Sequence, residues 1–442
     1  MAKADGTGLS KLDLAHAARM DGKRDEALRI GIAGLNGSPQ QIGTALLLAQ
    51  ILVDAGRPEM AIEALTRIMD AFVRRGSLPE AVVAAWHLKR AGQSPDPFYD
   101  GIAAAFCKGS KRVADVPPAP PPLPSMLPPP AGLNAISGEA LLARAEQALV
   151  TFMSAPDETP PNLDVPSFPL FGALDAKSLS KLLQALTVQD WKQGAVVMKE
   201  GDEGKYAIVV TRGALSVARH NERGEETKLA VLGPGAIVGE MSLVTDAPRA
   251  ATVKADEPTV VLLVERDALE KIATANPQVS VELGNFCRGR MLSNLLRHSP
   301  FFAPLEAQAR EDLIARFETR AFVAGDTLVK EGDESPGLFL IASGGVKVMG
   351  VDKDGDRIQI AVLGAGDVVG EISLVLRRPA TATVVAEHET VALVLTREKF
   401  HEAIRQHPAL LNELYELATK REEETRSVMG QASVDASDFV IV

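Results

Sequence analysis

Cysteine is almost absent. Cys107 and Cys287 are the only two in 442 residues, which excludes a disulfide framework and points to a reducing, cytoplasmic setting. Histidine is scarce too: His16, His87, His220, His298, His388, His401 and His407 show no ligand spacing, so no metal is expected. Excess positive charge is missing. Lys and Arg number 47 against 58 Asp and Glu, a net charge of −11. Such a chain gains little by releasing counterions from DNA or RNA, so no nucleic-acid partner is expected. No apolar run approaches the roughly 18 residues of a spanning helix, which argues against a membrane partner. The start carries Lys3, Asp5, Lys11 and Asp13 where a secretory leader would be apolar. A P-loop lysine, a kinase signature and a nucleophile elbow are all lacking, and the chain reads as a non-enzyme. What remains is an ordinary globular composition, 46% apolar and 24% charged, with length for about three domains.

Residues 1–110 read as helical, with Leu and Ala recurring at three- and four-residue spacing. Gly22-Lys23-Arg24-Asp25-Glu26-Ala27-Leu28 aligns with Gly56-Arg57-Pro58-Glu59-Met60-Ala61-Ile62 at an offset of 34. That is the period of a tetratricopeptide array, a stack of helix–turn–helix units. A further pair at about 78–91 and 96–107 would complete three units. The alternative is an unrelated helical bundle. Arg74-Arg75-Gly76-Ser77-Leu78, at a turn, has the pattern of a basophilic kinase substrate, which is weak evidence in so short a motif. Residues 1–112 hold 15 Lys and Arg against 12 Asp and Glu, leaving −14 for the rest.

Residues 111–166 are a linker with a short helix at about 138–153. Nine prolines between Pro117 and Pro130 favour extended polyproline II, about 43 Å over fourteen residues. The segment reads as a spacer, with a docking peptide for an aromatic groove as the alternative.

The remainder is one module written twice. Gly201-Asp202 matches Gly332-Asp333, Ala230–Gly233 matches Ala361–Gly364, Gly239-Glu240 matches Gly370-Glu371, Pro248 matches Pro379, and Pro169-Leu170-Phe171 matches Pro300-Phe301-Phe302, always 131 residues apart. Domains therefore fall at 167–297 and 298–428, leaving a tail at 429–442. Each begins with helical residues (176–185; 306–317) and continues as short strands separated by Gly and Asp turns, in the first copy at 194–198, 207–210, 214–217, 227–232, 252–253 and 259–264. Closing helices follow at 266–297 and 397–427. That pattern predicts a small antiparallel barrel or jelly roll. Gly233–Gly239 lacks the long helix a dinucleotide fingerprint needs. Asp352–Asp356 lacks the glycine and glutamate of a calcium loop and aligns with Asn221–Glu225 as a hairpin turn.

The chemistry lies in Gly239-Glu240-Met241-Ser242-Leu243-Val244-Thr245-Asp246-Ala247-Pro248-Arg249-Ala250-Ala251. Gly239 permits close backbone approach. The turn after it presents N–H groups to an anion. Arg249 can bind a phosphate bidentately, and small Ala250 and Ala251 leave their amides open beside it. Glu240 is an acceptor suited to a ribose hydroxyl. This segment resembles the phosphate-binding cassette of the cyclic nucleotide-binding domain family, over both copies. The resemblance implies an eight-stranded jelly roll with flanking helices. It also implies that Glu240 holds the ribose 2′-OH and that Arg249 holds the cyclic phosphate with the Ala250 and Ala251 amides. Gly239, Met241 and Ser242 complete the site. Ala250, where cyclic-GMP readers place Thr or Ser, tilts the ligand to cyclic AMP. The base cap would come from Phe286, Met291, Leu292 or Leu295.

In the second copy Ala380 replaces the arginine, so Gly370, Glu371 and Thr381 form a weak or degenerate site, and Glu371 would persist by bonding loop amides. Arg377 and Arg378 precede the proline and are expected to point elsewhere. The tandem arrangement resembles regulatory subunits of cyclic-AMP-dependent kinase. Those carry an Arg-Arg inhibitory segment before the first domain, whereas residues 113–166 contain only Arg144.

The overall expectation is a multidomain α plus β protein: a tetratricopeptide-like helical array, then two jelly-roll domains with flanking helices. It would act as a non-catalytic cyclic nucleotide receptor that couples ligand binding in the first jelly roll to a protein partner held by the helical array. A homo-oligomer is compatible with this. The alternative is a constitutive scaffold whose two jelly rolls are ligand-free interaction modules. The apolar end, Asp438–Val442, would add to a sheet edge or fray.

Overall fold

A computed structural model of the chain describes residues 10–37, 41–114, 132–156, 164–166, 168, 171–220, 226–298, 305–351 and 355–435. The proline cluster at 117–130, Pro169-Leu170, Asn221–Glu225, Pro300–Phe302, Asp352–Asp354, the Leu295 side chain and Asp438–Val442 lie outside the described residues. Two compact units form, Met1–Val244 with Ala251–Phe286, and Thr245–Ala250 with Cys287–Val442.

The first unit opens with six helices: α1 (Lys11–Met20), α2 (Arg24–Gly37), α3 (Ile42–Asp54), α4 (Pro58–Arg75), α5 (Leu78–Arg90) and α6 (Asp96–Phe106). Local chemistry sets their ends. Ser10 caps α1 in a reciprocal box with Asp13. Pro58 sits in the first turn of α4, where no N–H partner is lost. Turns at Gly22 and Gly56 share φ near +76°, so the 34-residue repeat is also a repeat of left-handed turns that glycine adopts without strain. Consecutive helices pack on each other. In α3, ten of thirteen residues are buried, which explains why its sequence is apolar on every face.

β1 (Val113–Ala114) leaves the array and pairs in parallel with β2 (Val165–Pro166). Between them lies α7 (Glu139–Ser154). The segment from 113 to 166 therefore returns to where it began.

After α8 (Ala176–Ala185), capped by Asp175, come β3 (Thr187–Trp191), β4 (Val196–Met198), β5 (Tyr206–Arg212), β6 (Leu215–His220), β7 (Glu226–Leu232), β8 (Ile237–Val238), β9 (Thr252–Ala255) and β10 (Thr259–Glu265). They form two four-stranded sheets, ordered β3-β10-β5-β8 and β4-β9-β6-β7. All pairings are antiparallel. β10, central in its sheet, is buried from Thr259 to Val264. Val197, Met198, Ile208, Val210, Leu215, Val253, Val261 and Leu263 make the core between the sheets. α9 (Arg266–Ala275) and α10 (Pro277–His298) follow.

The second unit repeats this plan. α11 (Ala307–Ile314) precedes β11 (Glu318–Phe322), β12 (Thr327–Val329), β13 (Gly337–Ser343), β14 (Gly345–Val351), β15 (Arg357–Gly364) and β16 (Val368–Val369). Short α12 (Glu371–Val375), β17 (Thr383–Ala386), β18 (Thr390–Thr396), α13 (Arg397–Gln406) and α14 (Ala409–Asp435) complete it. Its sheets run β11-β18-β13-β16 and β12-β17-β14-β15, strand for strand the order of the first copy. Gly213 and Gly344, 131 apart, show why the register persists. Each has φ near +85°, and a Cβ there would sit 2.6 Å from the Pro258 carbonyl or 2.4 Å from that of Glu389. The helical closing segment extends to Asp435, beyond the expected end at 427.

Within the first unit the helical array lies on the jelly roll. α6 packs on α8, and α5 on β3 and β5. Arg212 of β5 pairs with Asp13, and Arg19 with Asp190. Lys192 reaches Asp21 at 2.9 Å, and Ser180 donates to Asp100 at 2.6 Å. Part of the array surface expected to face another protein thus meets the chain's own barrel. Titratable groups near this junction are buried, as His16 and His87 are, or half-buried, as Glu80 is. Burial, with Arg212 and Arg19 adding to it, holds the His16 imidazole well below its usual value. Burial takes His87 down to about 3 and pushes Glu80 up to about 7.

These shifts have opposite signs in stability. The fold favours protonated Glu80, so its contribution falls as pH rises from 4.5 to about 7. It favours neutral His87, whose contribution is full above 6.5 and is lost as pH falls toward 3. Glu80→Gln is expected to raise the melting temperature at pH 8, by about 3 kcal/mol in stability. At pH 4.5 it should leave the melting temperature nearly unchanged. Melts followed by circular dichroism at the two pH values check this.

Candidate functional site

The candidate cassette begins where β8 ends. Gly239, at φ +81°, caps a single 3-10 turn, Glu240–Leu243. Only a residue free of Cβ strain turns the chain so sharply there. The Ser242 hydroxyl donates to the Gly239 carbonyl at 2.7 Å, closing the turn on itself. Glu240 is 5% exposed and Ser242 3%. Met241 is partly buried. Leu243 enters a narrow apolar crevice with Phe171, Leu182, Leu269 and Phe286. Arg266, the first residue of α9, donates its Nε–H to the Ser242 carbonyl at 2.6 Å. The turn is thereby tied to the following helices by one hydrogen bond and one apolar side chain.

The second half of the cassette, Thr245–Ala250, groups with the second unit, and the chain rejoins the first unit at Ala251. Arg249 is 8% exposed, a burial that a guanidinium tolerates only with its donors engaged. Ala250 is exposed and Ala251 half-buried. The backbone N–H of Asp246 donates to the Glu389 carboxylate at 2.6 Å. Of the expected base-cap residues, Phe286 lines the crevice behind the turn, Met291 is buried and Leu292 is half-buried.

The second module rebuilds the same turn with different partners. Gly370, at φ +87°, caps α12, and Glu371 is 3% exposed. A carboxylate so deeply buried needs a cation or several donors. Arg421 of α14 supplies the cation: its Nη1 lies 3.1 Å from Glu371 Oε1 and also donates to the Val368 carbonyl. Loop amides, the expected partners of Glu371, give way here to this guanidinium. Arg378 pairs with Glu422 on the same helix, and Arg377 takes a left-handed φ of +54°. Ala380, at the position of Arg249, is buried in the apolar core beside Val329 and Val384. Its amide donates to the Asp333 carbonyl at 2.9 Å and its carbonyl accepts from Gly332 at 2.9 Å. Thr381 is partly buried.

Sequence reasoning missed Arg266 and Arg421. The repeat could have flagged both. Arg266 aligns with Arg397, which donates to the Ser335 carbonyl at 3.2 Å, and Arg421 aligns with Arg290. Among the described residues no cluster of His, Cys, Asp or Glu could hold a metal ion, and both cysteines are buried free thiols. No described helix is long and apolar enough to cross a membrane.

Arg421→Met should strand the Glu371 carboxylate and destabilise the second unit by about 3–5 kcal/mol. Adding Glu371→Gln in the same chain should recover most of that loss. Urea unfolding of the wild type, the single variant and the double variant measures both effects.

Residues 188–276 and 319–407 each match the cyclic nucleotide-binding domain family, and the two matched stretches are again 131 residues apart. Among curated proteins, the chain is 29% identical over 231 residues to a cAMP-dependent protein kinase regulatory subunit of Yarrowia lipolytica, covering 52% of this chain and 57% of the relative. It is 27% identical over 231 residues to one of Blastocladiella emersonii, covering 52% and 55%. The chain thus spans little more than half the length of these relatives. Among solved structures, the regulatory domain of Toxoplasma gondii PKA with cAMP aligns at 24% identity and a TM-score of 0.28, covering 57% of this chain and 92% of that one. The repeated module, read twice in the sequence and built twice in the same strand order, is the cyclic nucleotide-binding domain, and this chain carries two.

Proposed function

We propose that the protein is a non-catalytic receptor for a cyclic mononucleotide, cyclic AMP, and that its first module is the ligand site. Glu240 accepts from the ribose 2′-OH. Arg249 meets the cyclic phosphate, with the Ala250 and Ala251 amides beside it. Gly239, Met241 and Ser242 form the turn that carries the carboxylate. The observation that carries this reading is that the matched cassette buries both a carboxylate, Glu240, and a guanidinium, Arg249. The second module supports it by contrast. There the guanidinium position is a core alanine, and the ribose carboxylate is already neutralised by Arg421. The curated relatives are cyclic-AMP-dependent kinase regulatory subunits, which favours this ligand and a regulatory role.

Ligand binding has a physical route out of the site. A nucleotide drawn onto the 240–243 turn biases the Ser242–Arg266 bond and the Leu243 contact, and so the position of α9 and α10. The loop that carries Arg249 also bonds Glu389, so the second module responds as a regulatory body rather than a receptor. The output is a protein–protein interaction made through the helical array.

Calorimetric titration of the full chain with cyclic AMP is expected to show one site per chain. Arg249→Ala should weaken it at least ten- to a hundredfold, the cost of losing a charged hydrogen bond to the phosphate. Undiminished affinity in that variant would remove the first-site assignment. No heat and no rise in melting temperature with any cyclic mononucleotide would favour the constitutive scaffold instead.

A further inference from the structure

We propose that the groove formed by α2, α3 and α4 is a docking site for an acidic amphipathic helix of a partner protein, and that α7 is the chain's own occupant, displaced when that partner binds.

α7 packs against α2, α3 and α4, helices that precede it by many tens of residues. Its buried side chains, Leu141, Leu142, Ala145, Ala148, Leu149 and Phe152, fall at the spacing of one helical stripe. The array supplies partners for both helix ends. At the N-terminus Asp25 accepts from the Gly138 amide at 2.9 Å, and Arg29 binds the carbonyls of Leu133 and Ile136 at 3.2 and 2.8 Å. At the C-terminus Arg67 donates to the carbonyls of Met153 and Ala155, and its guanidinium lies 5.6 Å from the Phe152 ring. Asp25 on the first amide and Arg67 on the last carbonyls complement the helix dipole, while Arg29 serves carbonyls ahead of the helix. Between them Arg57 pairs with Glu139 and reaches Glu146 at 3.1 Å. The groove thus recognises a helix of sixteen residues by its stripe, two carboxylates and both ends. Most of the polar contacts at the ends are to main chain, those of Arg29 to carbonyls just ahead of the helix, so a helix of that pattern with a short N-terminal lead satisfies them.

The topology leaves α7 free to exchange. β1 and β2 pair at the base of the excursion, and the Val165 amide donates to the Arg112 carbonyl at 2.7 Å. Release of α7 therefore leaves the junction of array and barrel intact. Proline-rich sequence flanks the helix on both sides. A tethered helix competes at an effective concentration of about a millimolar, which holds the groove closed to a weak partner and open to a strong one.

The probe is a fluorescent peptide of residues 132–156, titrated by anisotropy against the full chain. A chain carrying Leu149→Asp and Phe152→Asp weakens the cis helix and leaves the groove unchanged. It is expected to bind the peptide at least tenfold more tightly than wild type does. Adding Arg57→Glu and Arg67→Glu should abolish that gain. A folded variant that binds no more tightly than wild type overturns the proposal. A second measurement on wild type needs no variant: α7 amides should exchange with deuterium well before those of α3, and exchange only together with α3 would make α7 a fixed part of the core. Light scattering alongside identifies a second copy as the occupant: a concentration-dependent dimer dissolved by the peptide would assign the groove to α7 of another chain and overturn the separate partner.

Discussion

A buried carboxylate is the constraint around which each module is arranged. Glu240 and Glu371 open equivalent turns, and both are 5% exposed or less. Ionised carboxylates at that depth demand positive charge or a set of donors. A glycine at φ above +80° holds each in place, and the strands on either side are fixed by two-sheet packing. The demand is common to both copies and its answer differs. In the second, Arg421 descends from the closing helix, which makes that helix a structural member of the module. In the first, the cassette keeps an arginine at 249, where the second copy has only a methyl group at 380. One fold thus carries the same buried carboxylate twice, with an arginine at the cassette position in one copy and an alanine in the other.

The helical array belongs to the same physical body as the first jelly roll. Three ion pairs, Asp13–Arg212, Arg19–Asp190 and Asp21–Lys192, would count for little if each stood alone on a surface. Arg212 and Arg19 also act on buried His16, whose imidazole is held by burial well below its usual value, and α6 on α8 adds apolar contact. Separation would hydrate these groups together, so they act cooperatively. A movement of the barrel strands that carry Arg212 or Asp190 is consequently felt at α1 without any connecting linker.

Much of this was legible in the residues. The 131-residue register located both modules, and the 34-residue offset located the left-handed turns at Gly22 and Gly56. Hydrophobic spacing placed α7 and α8 within a residue of their observed ends. β3 and β8 were not visible. Thr187-Val188-Gln189-Asp190-Trp191 mixes polar residues into both faces, and Ile237-Val238 is too short to show a period. Each is a strand because β10 or β5 offers it a hydrogen-bonding edge, a tertiary fact. The repeat marks Arg421 through Arg290, but its partner escaped for the same reason. Arg421 lies fifty residues from Glu371, and helical periodicity gives no sign of which carboxylate an arginine will meet.

The segment from 113 to 166 separates what composition says from what pairing adds. Nine prolines stiffen a chain whatever its course, and stiffness alone suggests a spacer between bodies. Pairing of Val113 with Val165 makes the ends of the 113–166 segment neighbours, while the proline cluster itself lies outside the described residues. Closing a loop of about fifty residues costs entropy that grows only with the logarithm of its length, and stiff segments leave less freedom to lose. The cost falls on two short strands and on one helix that finds a groove. What keeps α7 on the array is contact: its apolar stripe, and the bonds that Arg29, Arg57 and Arg67 make to its ends and flank.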